Sequence, residues 1–434
     1  MPKDYNIVVN DCASPPVLGL THLRTRATPY GGRNFTSSFQ DIIGGLPERL
    51  TPIQQDWLHI LTSIFAADVA SKRGAGDDWS RRIQLWIGVR EPDHWKPLKP
   101  QIELVFKSLT YDQFAVTFVA DPDAPPTPRQ DREAFPRADS VALVSGGIDS
   151  LTGAARLLDL HRTPLFISHQ NSGAVSDALQ AVDEGLARIG QHAGRRSFTA
   201  QKEGIDGTES SQRSRSLLYM GVACLAAACL DISDVYLNEN GIMAINVPLT
   251  PARIGSFSTH TCNPTIVYDV AKIAGQALGW TGTIHNIIVT STKPEVVLEA
   301  ATLGLRDVLP KTVSCWQIGR TRRHCGYCVP CLIRQISFEH AGLSDTSHEI
   351  YPLDTIPNGG IRQQTAIDNV THLAAHVLAL SQSDEFELEL DFTEIINCDG
   401  QLTRRQSMDM HYRWAEQCLS VLERHPHSAH LLGR

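Results

Sequence analysis

The chain has no apolar run near the roughly 20 residues needed to span a bilayer. Its first residues, Met1-Pro2-Lys3-Asp4, lack the apolar core of a secretory leader. No internal repeat or low-complexity tract interrupts it. It has no excess of positive charge: the formal net charge is −8, which argues against broad attraction to a nucleic-acid backbone. No Gly-Lys-Ser/Thr follows a glycine-rich loop, so the Walker A mode of phosphate binding is excluded. The expectation is a soluble cytoplasmic protein that works without a membrane and without nucleic acid. With 434 residues, 42% hydrophobic and 20% charged, the chain can build two to three globular domains.

What is present begins with Val141–Val144, a short apolar strand. It runs into Ser145-Gly146-Gly147-Ile148-Asp149-Ser150, and a helical pattern from Leu151 to Leu160 follows. A tight turn between strand and helix leaves backbone N–H groups free at a helix N-terminus, which is an anion site. Gly146 and Gly147 permit positive φ and close approach of the backbone to a phosphate. Ser145 and Ser150 add hydroxyls. Asp149 beside bound phosphates makes chemical sense if it meets Mg²⁺ or orders the loop through backbone N–H groups.

Ten cysteines in a cytosolic chain read better as metal or catalytic thiols than as a disulfide framework. Cys315, Cys325, Cys328 and Cys331 combine two overlapping C-x-x-C steps with an upstream cysteine, and Gly326 permits the sharp turn between them. One tetrahedral Zn²⁺ can gather four such thiolates in a closed, structural site. An iron–sulfur cluster and a redox dithiol are the alternatives. Cys12, Cys224, Cys229, Cys262, Cys398 and Cys418 read as core or surface thiols.

Three further polar groups stand out. Asn238-Glu239-Asn240-Gly241 follows a strand and can read the polar edge of a base, although Asn-Gly is also a common turn. Arg253, with Ser256, Ser258, Thr259, His260 and Thr261, can bind a phosphate or carboxylate. Arg213 and Arg215, at the start of an apolar helix, and Lys293 are the remaining cationic candidates.

In order along the chain, residues 1–120 read as an α+β docking unit. Strands are expected at 5–9, 83–89, 102–106 and 114–119, with a helix beginning at the Thr51-Pro52-Ile53-Gln54 capping box. Residues 121–137 are a proline-rich linker. Residues 138–342 alternate apolar strands (141–144, 164–168, 235–237, 284–289) with helices (174–190, 210–230), which implies a doubly wound parallel α/β sheet. Residues 343–434 form a C-terminal extension: a helix over 362–380, a strand over 386–390, a helix over 402–422, and a solvated, partly disordered tail carrying His425, His427 and His430.

The Ser145–Ser150 loop, together with Thr312-Val313-Ser314-Cys315 and Cys325 through Arg334, resembles the QueC family of 7-cyano-7-deazaguanine synthases over roughly residues 138–342. The resemblance implies an adenine-nucleotide α-hydrolase-like fold of PP-loop type. It also implies adenylation of the carboxylate of 7-carboxy-7-deazaguanine with ATP and Mg²⁺, and zinc on the four cysteines. Ser145, Asp149 and Ser150 would then act in the reaction. Ser145, Gly146, Gly147, Ile148, Asp149, Ser150 and Arg215 would hold ATP, and Glu239, Asn240, Gly241, Arg253 and Lys293 would hold the substrate. The synthase is a more compact chain. The long flanking segments and the Glu239–Thr261 stretch look more like the enlarged QueC-like proteins of bacterial anti-phage operons, such as QatC of the Qat system. That group implies a ligase whose acceptor is an amine of a partner protein from the same operon. The competing readings are a free-standing synthase using ammonia, a non-catalytic nucleotide-binding subunit, and a tRNA-modifying PP-loop enzyme, against which the charge weighs.

Overall fold

The structure, a computed structural model, describes residues 2–74, 79–122, 124–170, 173–203, 209, 211–249, 260–318, 323–347, 352–353, 360–396 and 400–432. Strands β1 (Lys3–Val9), β2 (Leu20–Leu23), β4 (Arg81–Val89) and β5 (Gln113–Ala120) form one sheet in the order β2-β1-β4-β5, and every neighbouring pair is parallel. Strands β3 (Phe35–Ser38), β6 (Ser140–Leu143), β7 (Pro164–His169), β8 (Arg195–Lys202), β9 (Asp234–Leu237) and β10 (Thr283–His285) form a second sheet, in the order β10-β9-β6-β7-β8-β3. Its pairs are parallel except that β3 runs antiparallel to β8.

Strands β6 and β7 are buried at every residue. Helices therefore cover both faces, as expected for a doubly wound parallel sheet. From β6 the chain proceeds outward to β7 and β8, then crosses to β9 and β10 on the other side. The carboxyl end of β6 is thus the topological switch point, where open α/β sheets bind ligands. The Ser145–Ser150 loop leaves β6 there, and Asn238–Asn240 leaves the neighbouring β9.

Helix α1 (Pro52–Ala70) starts at the expected capping box, with the Thr51 and Gln54 side chains bonding reciprocally. It packs against α5 (Arg215–Cys229). The Trp57 indole N–H donates to the Gly221 carbonyl at 2.8 Å, and a Cβ at Gly221 would lie 2.3 Å from Leu61 Cδ1. Just before α5, Asp68 accepts from the N–H and hydroxyl of Ser214 at 2.9 and 2.7 Å. Asp68 and Asp112 also bind the wholly buried Arg81. The first 120 residues thus share one apolar core with the second sheet. An α+β arrangement is expected for them; within the first sheet neighbouring strands pair in parallel, while β3 pairs antiparallel with β8 of the second sheet.

Several local expectations are corrected. Residues 102–106 are not a strand but part of helix α2 (Lys99–Thr110). Ile102, Val105, Phe106 and Leu109 share its buried face, the spacing of a helix and not of a strand. The strand expected at 386–390 is likewise helical, in α11 (Glu385–Asp391). The Asp384–Glu387 capping box starts it, and of its apolar residues only Leu388 is buried, while Phe386 and Leu390 face solvent. The strand expected over 284–289 stops at His285, because the Asn286 side chain accepts from the Ile288 N–H and donates to the Glu239 carbonyl. His425 is packed rather than solvated, its Nε2 2.8 Å from Glu339 just before α13 (Pro426–Leu431), while His430 on that helix is exposed.

The remaining helices of five residues or more are α3 (Ile148–Asp159), α4 (Gly173–Leu186), α6 (Gly241–Ile245), α7 (Pro264–Leu278), α8 (Lys293–Thr302), α9 (Val329–His340), α10 (Gly360–Gln382) and α12 (Arg404–Leu422). Helices α10 and α12 close over α6 and α9 in a second apolar core, where Ile242, Ile245 and Leu332 meet Leu373, Val377 and Trp414. No helix among the described residues is long and apolar enough to cross a membrane.

Candidate functional site

Ser145 is exposed at the mouth of the loop, and Gly146 sits at φ +78°, a conformation that favours glycine. The Ser150 hydroxyl accepts from the Ser145 N–H and donates to the Gly147 carbonyl, both at 3.1 Å, so it fixes the loop from within. The Ser145 hydroxyl lies 3.1 Å from it. Gly147 is the N-cap of α3 and supplies no capping side chain. The first-turn N–H groups of α3 therefore lack a side-chain partner at the cap and face the switch point. Ile148 contributes its backbone here, while its side chain is buried in the core.

Asp149, in that first turn, points inward and is buried. Lys293, the first residue of α8, donates to its Oδ2 at 2.5 Å, and the Asn240 amide donates to the same oxygen at 3.2 Å. Oδ1 is buried and takes no hydrogen bond from Lys293 or Asn240. Burial pushes the Asp149 pKa up, but the Lys293 ammonium and hydrogen bonds from Glu239, Lys293 and Asn240 outweigh it, and the carboxyl stays below its ordinary range. Glu239 moves the other way: burial and then the Asp149 charge raise it well above the ordinary glutamate value. An ionised Asp149 thus stands beside a Glu239 that keeps its proton, the divergence that acid–base sites use.

Lys293, expected on the substrate, therefore belongs with the loop. Asn240 serves twice, since its side-chain oxygen also caps α6 by accepting from the Met243 N–H at 3.2 Å. Gly241 is a packing position: its N–H donates to Ser291 O, and a Cβ there would lie 2.0 Å from Val289 O. Asn238 packs on α3 at Gly153 and accepts from the Ile287 N–H. Arg215 is exposed at the start of α5, its guanidinium 5.8 Å from the Tyr219 ring centre. Arg253, with Ser256, Ser258 and Thr259, lies outside the described residues.

The sulfurs of Cys315, Cys325, Cys328 and Cys331 all lie within 4.8 Å of one another. Cys325–Cys331 and Cys315–Cys328 are 4.0 and 3.9 Å apart. Tetrahedral Zn–S bonds of about 2.3 Å place sulfurs about 3.8 Å apart, so the set fits a single tetrahedral ion. Backbone N–H groups of Gln317 and Cys325 point at Cys315 Sγ, and that of Cys328 at Cys325 Sγ, at 3.3–3.4 Å, which favours thiolates. The segment leading into the cluster is tied to the loop, because the Val313 N–H donates to Gly146 O at 2.9 Å. The fully buried Arg334 fixes the same segment, binding Thr312 O and Oγ1, Leu309 O and Asp345.

Beyond α6 opens a small cleft walled by Met243, Trp316, Ile333, His376, His411 and Trp414 among others. Its lining is largely apolar.

Residues 191–342 match the family model of QueC, the queuosine biosynthesis protein. The match takes in Glu239–Gly241, Lys293 and the four cysteines; it starts after the glycine loop, whose case rests on its own geometry. The chain is also similar to proteins named 7-cyano-7-deazaguanine synthase. It is 27% identical over 235 residues to that of Polynucleobacter asymbioticus, covering 48% of this chain and 90% of the relative. Identity to the Novosphingobium aromaticivorans protein is 28% over 231 residues, covering 48% and 92%. For Azoarcus sp. it is 29% over 232 residues, covering 49% and 96%. These QueC-like relatives thus account for about half of the chain.

Sequence reasoning missed Arg334 as the brace between loop and cysteines, and missed the cleft. The cleft had a readable signal in part: His411 and Trp414 are three apart on one helix face, and Trp316 directly follows a cysteine ligand candidate.

Proposed function

We propose that this chain activates the carboxylate of 7-carboxy-7-deazaguanine with ATP and passes the acyl group to an amine. The carboxylate oxygen bonds to the α-phosphorus and pyrophosphate leaves; the amine then bonds to the acyl carbon, loses a proton and displaces AMP. The observation that carries this reading is the buried Asp149 carboxylate held by Lys293 under the uncapped N-terminus of α3. The α3 N–H groups, Gly146 and Gly147 hold phosphate. Asp149 Oδ1 would hold Mg²⁺, which neutralises phosphate charge when bound. Lys293 keeps Asp149 ionised and adds a cation at the same point. Glu239, still protonated, hydrogen-bonds Asp149 and helps to keep it ionised. Cys315, Cys325, Cys328 and Cys331 would hold a structural Zn²⁺.

For the acceptor we favour the amine of a partner protein, as in the anti-phage QueC-like group. Its support is that the residues before 138 and after 342 lie outside the family-model match and close around the core, giving surface that ammonia does not need. A second reading is ammonia as acceptor with onward conversion to the nitrile, which the relatives' name, 7-cyano-7-deazaguanine synthase, favours. The test incubates the protein with ATP, Mg²⁺ and 7-carboxy-7-deazaguanine, plus ammonium or the protein of the neighbouring gene. AMP and a mass gain on the neighbour are expected. A nitrile product with an unmodified neighbour overturns the acceptor, and AMP formation surviving Asp149→Ala combined with Ser145→Ala overturns the site.

A further inference from the structure

Lys293 and Glu239 both meet Asp149, and the C-terminal extension grips the backbone that carries each. Lys293 is the first residue of α8, and its ammonium reaches Asp149 Oδ2 at 2.5 Å. A capping box closes the turn that carries it: Thr292 Oγ1 accepts from the Glu295 N–H, and Glu295 Oε2 accepts from the Thr292 N–H. Helix α12 holds both members of that box. The Arg413 guanidinium straddles the Glu295 carboxylate, with Nε 2.9 Å from Oε1 and Nη2 3.3 Å from Oε2. Its Nη2 also donates to the Thr290 carbonyl at 2.8 Å. Gln417 donates to Glu295 Oε1 at 3.1 Å and accepts from the Thr292 hydroxyl at 2.5 Å. Arg413 and Gln417 are i and i+4, so they share one face of α12.

Glu239 is held through a relay. The Gln401 side-chain amide pairs with the edge strand β10 much as a neighbouring strand would. It donates to Ile284 O at 3.0 Å and accepts from the Asn286 N–H. The Asn286 amide in turn donates to Glu239 O at 2.7 Å and accepts from the Glu239 N–H at 3.3 Å. Both backbone groups of Glu239 are thus set by a residue that Gln401 sets, and the Glu239 side chain bonds Asp149.

These bonds position more than they stabilise. Arg413 is exposed, and an exposed ion pair adds little to folding stability. The body of α8 is fixed without them, because Val296, Val297 and Ala300 are wholly buried in the core of the second sheet. What α12 adds is the placement of the first turn, where Lys293 sits. Misplacing a reacting group by about 1 Å can cost about a hundredfold in rate. Gln401, Arg413 and Gln417 all lie outside the family-model match.

We propose that the C-terminal extension is a working part of the site: Arg413 and Gln417 position Lys293, and Gln401 positions Glu239, so that both meet Asp149. All three act through other residues and are positioning residues. The catalytic consequence rests on the adenylation reading above; the mechanical coupling does not.

Hydrogen exchange and steady-state kinetics on the full chain test the two parts separately. The variants are Arg413→Met, which keeps the stem and removes the fork, Arg413→Lys, which keeps the charge, Gln401→Leu, and Arg405→Met, an exposed control on the same helix. In Arg413→Met the Thr292, Glu295 and Val296 amides should exchange about tenfold faster or more, as should the Glu239 amide in Gln401→Leu. With ATP, Mg²⁺ and 7-carboxy-7-deazaguanine, both variants should lose about tenfold to a hundredfold in kcat for AMP formation, with KM for ATP within about threefold. Arg413→Lys should recover most of the Arg413→Met loss, Arg405→Met should match the wild type, and all should melt close to it. Unchanged exchange in Arg413→Met and Gln401→Leu overturns the coupling. Faster exchange with unchanged kcat, or a kcat loss that Arg413→Lys does not relieve, overturns positioning. A kcat loss accompanied by a much lower melting temperature assigns the bonds to folding and overturns it too. A wild type that forms no AMP, with exchange altered as described, removes the adenylation reading and leaves the coupling standing.

Discussion

The Val313 N–H donates to the Gly146 carbonyl at 2.9 Å, so the segment entering the cysteine cluster is bonded to the glycine loop itself. A Cβ on Gly147 would sit 3.4 Å from the Val313 carbonyl. The two motifs, more than a hundred and fifty residues apart, are one structural unit, and a structural metal can then control the shape of a phosphate loop without touching the ligand.

Metal loss should therefore be felt at the loop. Cys328→Ser, or treatment with a strong chelator, is expected to remove bound zinc and to weaken ATP binding at least tenfold, since four-sulfur sites contribute folding energy directly. Elemental analysis paired with nucleotide titration checks this. Zinc loss with unchanged ATP affinity would show that the Val313–Gly146 bond transmits nothing.

The glycines should divide by mechanism. At Gly241 a Cβ would lie 2.0 Å from Val289 O and 2.1 Å from Met410 Sδ, and backbone cannot retreat cheaply. Gly241→Ala is expected to cost about 1–3 kcal/mol of stability, the range of overpacked cores, read from urea unfolding. Gly147→Ala meets only ordinary contacts at 3.4 Å and has φ −88°. It should fold normally yet bind ATP at least tenfold more weakly, because the methyl occupies ligand space. Normal ATP affinity in Gly147→Ala would mean that the phosphates do not approach this position.

Stability should rise with pH between about 4 and 6.5. Burial lowers the pKa of His169 to about 4, His376 to about 3 and His411 to about 4. In the unfolded chain each titrates near 6.5. Between those values the unfolded state binds more protons, so stability is present above about 6.5 and drains as pH falls toward 4, by up to about 1.4 kcal/mol per pH unit for each histidine. Urea midpoints at pH 7 and pH 5 measure it, and His376→Phe should flatten the slope. An equal midpoint at both values would show that these rings are accessible to protons when folded.

What was legible in the sequence was local. The strand, loop and helix at 141–160 and the cysteine spacing lie in short windows where residue type dictates geometry. The alliance of Lys293 with Asp149 was not legible, because a cation a hundred and forty-four residues away in sequence can be placed only by the sheet order. Residues 102–106 and 386–390 were misread for another reason: over five residues an apolar pattern fits either period, and only the flanking Leu109 or the Asp384 cap decides. The cleft needed α12 folded across α6, a contact between segments that carry no motif in common.

Strand β3 has a consequence of its own. It borrows residues from the first part of the chain to finish the outer border of the second sheet, pairing Phe35–Ser38 with Thr199–Lys202. Cutting the chain at the proline-rich stretch would strip that border from β8 and leave a row of unpaired amides and carbonyls ready to recruit another molecule. Expression trials that keep only the QueC-like half should yield aggregates, and a working minimal version must begin ahead of residue 35.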